Sequence, residues 1–345
     1  MKIKELFQNK VDKGVYVIAE VSQNHDGSLG QAHAFIDACA EAGADAVKFQ
    51  THIAEAESTP QEPFRVPFSY EDKTRYDYWK RMEFTREQWI GLKRHAQERG
   101  IEFLSSAFSV EAFELLEQIG MEAWKLGSGE VFNAYLLDRM LETGKPILIS
   151  SGMSTFEDIR HQVERIEAGG SPYAIFQCTT SYPNPFESVG LNVIDELHDL
   201  YDCPIGLSDH SGTIYPALAA VARGASMIET HVTLSRYMFG PDVSSSVTIE
   251  QLREMIEGIR AITCMLSSPV NKCVLEDKYT ELKSIFAKGI YAKRDILEGE
   301  LIRIDMLSMK KPLNGLSAEQ YQDVVGRKAG RNIEKGSPIR SADLE

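Results

Sequence analysis

The chain has 345 residues, 43% of them hydrophobic and 26% charged, with a formal net charge of −14. That length suits one large domain plus a small one, and the composition is that of a globular protein. The acidic balance excludes a general nucleic-acid binder, which needs a basic footprint, and no apolar run approaches the roughly 20 residues of a membrane span.

Short apolar runs alternate with amphipathic ones along the chain. The first strand candidate, residues 15–21, leads through Glu20 into Ser22-Gln23-Asn24-His25, which puts a carboxylate, an amide and an imidazole near one turn. An unpaired buried carboxylate is expensive, so Glu20 needs a partner; Asn24, Asp26 and Gly27 equally suit a plain turn. A helix over 30–42 leads to a strand over 46–50 that carries Lys48 and Gln50. A lysine within an apolar strand is rarely there for packing. The stretch 55–81 is too long for an ordinary connection, and Pro60, Pro63, Phe64, Pro67 and Phe68 mark it as an ordered surface loop, a candidate lid. A helix over 85–99, a strand over 102–107 with Ser105 and Ser106, and a helix over 110–119 precede the strand 123–126 with Lys125. In Gly127-Ser128-Gly129-Glu130 the glycines let backbone N–H groups approach a ligand, and with Lys125 and Ser128 this resembles half of a phosphate site. Two strand lysines facing one rim imply an anionic ligand or a lysine nucleophile.

The strand 146–150 ends in Ser150-Ser151, and the strand 174–178 runs into Thr179-Thr180-Ser181-Tyr182. Strands over 205–208 and 227–231, separated by a helix over 215–223, lead to His210 and His231, 21 positions apart. This spacing puts two imidazoles on one rim of adjacent strands, a site for a divalent metal. Glu20, Glu229 and Asp242 are nearby carboxylates for binding metal-held water or for acid and base work. Eight strands with intervening helices, polar at nearly every C-terminal end, indicate an α/β fold, a (β/α)8 TIM barrel over 1–266; a doubly wound sheet is the competitor. Residues 267–283 read as a linker and 284–345 as a small, mostly β domain. There Asp295-Ile296-Leu297-Glu298-Gly299-Glu300 is echoed by Asn332-Ile333-Glu334-Lys335-Gly336-Ser337, a sign of pseudo-symmetry. The five cysteines, Cys39, Cys178, Cys203, Cys264 and Cys273, are scattered without CxxC; four lie in strand- or helix-like segments, which reads as buried thiols in a reducing cytoplasm.

Taken in order, these motifs resemble those of the sialic acid synthase family. The matching phrases include Ile18-Ala19-Glu20, Gln23-Asn24-His25, Val47-Lys48-Phe49-Gln50, Lys125-Leu126-Gly127-Ser128-Gly129-Glu130, Gly206-Leu207-Ser208-Asp209-His210 and Gly240-Pro241-Asp242. The tail resembles the family's antifreeze-like (SAF) domain through Asp295-Ile296, Gly299-Glu300 and Lys311-Pro312. The resemblance implies a metal-dependent condensation of phosphoenolpyruvate with N-acetylmannosamine, giving N-acetylneuraminate and phosphate. It implies Mn2+, with Mg2+ or Co2+ as alternatives, on His210 and His231. Lys125, Ser128, Ser150, Thr180, Tyr182 and Ser208 match positions at the phosphate of phosphoenolpyruvate, and Lys48 and Gln50 positions near its carboxylate. Glu20, Glu130 and Asp242 would orient the sugar or move protons, and Lys311 would reach its acyl group. A domain-swapped homodimer is also implied.

Three departures bear on the acceptor: Thr230 where many relatives carry Arg or Lys, Val243-Ser244-Ser245-Ser246 after Asp242, and Lys311, which lacks the planar fork of an arginine. The alternatives are a synthase for legionaminate or pseudaminate, a Schiff-base lyase using Lys48 or Lys125, and a carbohydrate- or ice-binding protein.

Overall fold

Eight strands of the barrel carry side chains that alternate between two environments. In this computed structural model, which describes residues 2–8, 14–64, 66–274 and 277–345, they are β1 (Tyr16–Ser22), β2 (Ala46–Thr51), β3 (Glu102–Ala107), β4 (Trp124–Leu126), β5 (Ile147–Ser150), β6 (Tyr173–Cys178), β7 (Ile205–Asp209) and β8 (Met227–Thr233). Each pairs in parallel with the next, and β8 pairs back onto β1, which closes the barrel. The strand order and parallel sense are those of the (β/α)8 fold expected from the sequence.

The two-residue period of a strand sorts the residues. Val17, Ala19 and Val21 of β1 and Val47 and Phe49 of β2 face the surrounding helices and join the large outer core. Tyr16, Ile18, Ala46, Leu104, Leu148 and Phe176 form a separate apolar cluster that fills the barrel's N-terminal half. One pleat further along, the same inward series becomes Glu20, Lys48, Ser106, Lys125, Ser150 and Glu229, all buried. The interior is therefore apolar at one end and charged at the other, and this gradient positions the site. Gly206 of β7 allows the packing, because a Cβ there would lie 2.8 Å from both the Met227 carbonyl and the Phe176 ring.

A short helix, Ile3–Gln8, closes the apolar end. Its Ile3 and Leu6 enter the interior cluster, and Glu102 Oε2 accepts from Ile3 N at 2.8 Å and from the Tyr16 hydroxyl at 2.5 Å.

The insertion after β2 is more than a surface loop. It contains helices Ala54–Glu57 and Arg75–Met82, the second started by a reciprocal Thr74–Asp77 capping box. Ala54, Tyr78, Trp79 and Met82 form its own apolar cluster, against which Phe64 and Phe68 pack. Arg81 ties it down, reaching Asp72 at 2.8 Å and Asp26 at 2.6 Å. Gly27, at φ +70, lets the insertion in: a Cβ there would meet the Arg81 carbonyl at 2.4 Å.

The chain forms two compact units, Met1–Ser268 and Pro269–Glu345. In the second unit a helix, Asp277–Phe286, precedes an antiparallel pair, Gly289–Ala292 with Leu307–Lys310. The two echoed phrases meet each other there. Ile296 and Ile333 exchange backbone hydrogen bonds of 2.9 and 2.8 Å, Asp295 accepts from Lys335 N at 2.7 Å, and Asn332 accepts from Glu298 N at 2.8 Å. Gly299 and Gly336 turn the chain at φ +81 and +85, so the repeated phrase is a repeated conformation.

The cysteines depart from expectation. Cys39 and Cys178 are buried, but Cys264 and Cys273 are exposed. Cys264 lies on the helix Ile249–Leu266, whose buried positions are Leu252, Met255, Ile256 and Ile259. No helix among the described residues is long and apolar enough to cross a membrane.

Candidate active site

The C-terminal mouth of the barrel opens into a cavity of about 710 Å³. Two lysines and two carboxylates form its floor. Lys48 Nζ lies 2.8 Å from Glu20 Oε2 and 3.8 Å from Glu229 Oε2, and it donates to Ser106 Oγ at 3.2 Å. Lys125 Nζ lies 3.4 Å from Glu229 Oε1, donates to Ser150 Oγ and sits 4.9 Å above the Phe176 ring. Ser208 donates to Glu229 at 3.1 Å, and Gln50 donates to Glu20 at 2.9 Å.

Burial is the strongest influence on each of these four charges. It raises the Glu20 carboxyl despite Lys48. At Glu229, Lys125 and then Lys48 outweigh burial and hold the carboxyl below its ordinary value. Burial lowers Lys125, whereas at Lys48 the attraction of Glu20 and Glu229 prevails and raises it. Two cations and two anions balance, and both lysines line the cavity among the hydroxyls of Ser106, Ser128, Ser150 and Ser208, a setting that would admit an anion.

His210 and His231 stand beside this floor with ring centroids 5.2 Å apart. Burial, followed by the neighbouring His231, lowers His210 to about 3; burial, followed by Lys48, lowers His231 to about 3. Both rings are neutral near pH 7. The carbonyl of Thr179, 2.9 Å from His210 Nδ1, can only accept, so Nδ1 carries the proton and the Nε2 lone pair faces Tyr182 Oη at 3.1 Å. His231 Nδ1 is buried without a hydrogen-bond partner. Two neutral imidazoles, one orphaned and one held in a fixed tautomer, fit a divalent metal such as Mn2+.

A bulge in β1 shapes the rim. The register with β2 slips between Glu20 and Ser22, Ser22 adopts φ +50, and its hydroxyl donates to Asp242 at 2.7 Å. Bulges of this kind commonly re-aim side chains beside sites. Asn24 is no simple turn former. Fully buried, it donates to the Val232 carbonyl at 2.7 Å and to Ser246 Oγ at 2.9 Å, and Ser246 in turn donates to the Asp242 carbonyl at 2.7 Å. The departure at Ser246 thus fastens the Asp242 loop to β1.

Of the residues singled out in the sequence, Glu20, Lys48, Gln50, Lys125, Ser128, Glu130, Ser150, Thr180, Tyr182, Ser208, His210, His231 and Asp242 all line this one cavity. Lys311 lies in the second unit, 5.2 Å above the Phe286 ring. Thr230 does not line the cavity; between Glu229 and His231 it takes the opposite, helix-facing side of β8. His25 belongs to the core, its ring 4.8 Å from that of Phe84. Sequence reasoning missed the wall supplied by the insertion, where Glu57, Glu62, Phe64, Arg75 and Trp79 line the cavity. Their signal was the aromatic content of 55–81, which marked a lid but no individual side chain.

Comparison with known proteins agrees with this geometry. Residues 35–271 match the NeuB family, and residues 287–345 match the SAF domain. The chain is 32% identical over 334 residues to the N,N'-diacetyllegionaminic acid synthase of Campylobacter jejuni, covering 95% of this chain and 99% of that one. It is 32% identical over 330 residues to the human N-acetylneuraminate-9-phosphate synthase, covering 94% and 91%. Among solved structures, the N-acetylneuraminic acid synthetase of Leptospira borgpetersenii, in complex with citrate, superposes with a TM-score of 0.70 at 31% identity, covering 79% of this chain and 90% of that chain. With a family match over more than half its length and a floor of paired lysines at the barrel mouth, the chain belongs to the NeuB family of nonulosonic acid synthases and carries a SAF domain after its barrel.

Proposed function

We propose that the protein condenses phosphoenolpyruvate with N-acetylmannosamine to give N-acetylneuraminate and phosphate. The observation that carries this reading is the cavity floor, where Lys48 and Lys125 meet hydroxyls and carboxylates beside two neutral histidines. Lys125 with Ser128, Ser150, Thr180, Tyr182 and Ser208 would take the phosphate group, and Lys48 with Gln50 the carboxylate. An incoming dianion would draw the ammonium groups away from Glu229 and Glu20.

His210 and His231 would hold a divalent metal, Mn2+ in our reading with Mg2+ or Co2+ as alternatives, which as a Lewis acid polarises the sugar aldehyde. C3 of phosphoenolpyruvate bonds to the aldehyde carbon, water adds at C2, and the C2–O bond breaks to release phosphate. Glu20, whose carboxyl is raised by burial, Glu130, raised likewise by burial, and Asp242 would orient the sugar or carry protons. Both lysines are ion-paired, which favours their role as charged anchors over a Schiff base. The same reading takes the protein to be a cytoplasmic homodimer with exchanged SAF domains, residues 284–345 after a linker at 267–283, in which Lys311 meets the sugar's acyl group.

A second acceptor, a di-N-acetylated amino sugar, is favoured by the 32% identity to a diacetyllegionaminic acid synthase. The test is phosphate release from phosphoenolpyruvate with each sugar, with Mn2+ and then with excess chelator. Release that requires N-acetylmannosamine and metal supports the first reading. Release only with the di-N-acetylated sugar moves the protein to the second, and no release with any sugar overturns both.

A further inference from the structure

The insertion places one carboxylate against the cavity in a way that the proposed chemistry does not use. Glu57 ends the helix Ala54–Glu57, lines the cavity, and has only 8% of its side chain exposed. Its Oε1 lies 2.5 Å from His52 Nδ1. Its Oε2 is buried and has no hydrogen-bond partner. Buried carboxylate oxygens are costly to leave without a donor, so a donor from the cavity is the missing element.

His52 holds Glu57 in place. Its ring is stacked between Trp79, at 3.9 Å and 13°, and Phe108, at 4.4 Å and 15°. Its Nε2 approaches Gln50 Oε1 at 3.4 Å, and the Gln50 amide donates to Glu20 at 2.9 Å. The stacked imidazole engages Oε1 of Glu57 and leaves Oε2 as the oxygen without a partner. Glu130 also lines this cavity. Its carboxyl is raised first by burial, against the pull of Asn133, and the Glu57 charge adds to the rise. Such a pair of acceptors suits a neutral ligand rich in O–H and N–H donors and repels an anionic group.

We propose that Glu57 is a specificity-determining residue whose Oε2 accepts a hydrogen bond from a hydroxyl or acylamino N–H of the acceptor sugar, with His52 as the positioning residue that fixes its other oxygen. The proposal rests on the condensation reading above and deepens it by adding a contact from the insertion to the acceptor.

The experiment is steady-state phosphate release by the full chain with Mn2+, phosphoenolpyruvate and the sugar that the wild type uses, for wild type, Glu57→Gln, Glu57→Asp and, as a control, Glu55→Gln. Glu55 is an exposed neighbour on the same helix that pairs with Lys80. Glu57→Gln is expected to raise the KM for the sugar about 10- to 100-fold, the loss of a hydrogen bond to a charged group, and to leave the KM for phosphoenolpyruvate within about twofold. Glu57→Asp keeps the charge and falls between; it replaces Glu57→Gln in the test if that variant does not fold. Unchanged sugar KM overturns the proposal. An equal rise in both KM values overturns it too, since Glu57 would then act only through His52, Gln50 and Glu20. A wild type that releases no phosphate with any sugar overturns the condensation reading and this proposal with it; an active wild type with an indifferent variant overturns the proposal alone.

Discussion

Ser22 donates a 2.7 Å hydrogen bond to Asp242 from a backbone held at φ +50. A left-handed conformation costs a non-glycine residue roughly 1–2 kcal/mol, and the bond to Asp242 is what the serine gains there. Ser22→Gly relieves that strain but adds about 0.4–1 kcal/mol of unfolded-chain entropy. Its stability is therefore expected to stay within about 1 kcal/mol of the wild type, while kcat falls roughly tenfold as Asp242 loses its anchor. Calorimetry and phosphate release check the two halves; an unchanged kcat would show that Asp242 is held well enough by the loop alone.

Glu229 stands between two buried ammonium groups, 3.4 Å from Lys125 and 3.8 Å from Lys48. Glu229→Gln leaves those charges short of a counterion and is expected to cost about 3–5 kcal/mol. Adding Lys125→Met should return part of that loss, because it removes one of the stranded charges. Urea unfolding of the single and double variants measures this coupling, and strict additivity would refute it.

If His210 and His231 hold the metal as proposed, removal of either imidazole should empty that site. His210→Ala and His231→Ala are each expected to weaken Mn2+ binding by more than the roughly 10–100-fold typical of outer partners. Magnetic resonance of free Mn2+ during titration gives the affinity directly, independently of turnover. Wild-type affinity in both variants would mean that the metal sits elsewhere.

Arg81 fastens the insertion by bridging Asp72 and Asp26. Burial pushes the Asp72 carboxyl up, but the hydrogen bonds from Arg81 and Ser69 and the Arg81 charge together outweigh it, and the group titrates below its ordinary 3.8. A carboxyl lowered in the folded state stabilises it above the ordinary value and loses that contribution as pH falls through the lowered one. Limited proteolysis should therefore find the insertion protected at neutral pH and increasingly cut below about pH 4. Arg81→Ala should be cut readily at both, and equal protection of variant and wild type would sink the idea.

The barrel was legible because its strands follow a simple rule. Lys48, Lys125, His210 and His231 interrupt or end apolar runs, and each such residue lines the observed cavity. The same rule, applied to single residues, separates Glu229 and His231 from Thr230, whose side chain lies across the sheet from them; Thr230 stood out only as a departure from the resembled family. The helix Arg75–Met82 had a local signal in Thr74 and Asp77. The setting of Glu57 had none, because Trp79 and Phe108 reach His52 from separate segments of the chain. The exposed Cys264 follows from which face of its helix is apolar, and counting helical positions from Leu252 would have found it.

The reciprocal ties in the second unit have a consequence for how it can fail. Asn332 receives Glu298 N while Asp295 receives Lys335 N, so each turn, closed internally by Glu300 N on the Leu297 carbonyl or Ser337 N on the Glu334 carbonyl, is also tied to the other repeat. A chain interrupted before Asn332 would strip the first repeat of its ties to Asn332 and Ile333 as well as losing the second. The two copies are templates for one another, and the unit should melt in a single cooperative step with no half-folded species to be salvaged.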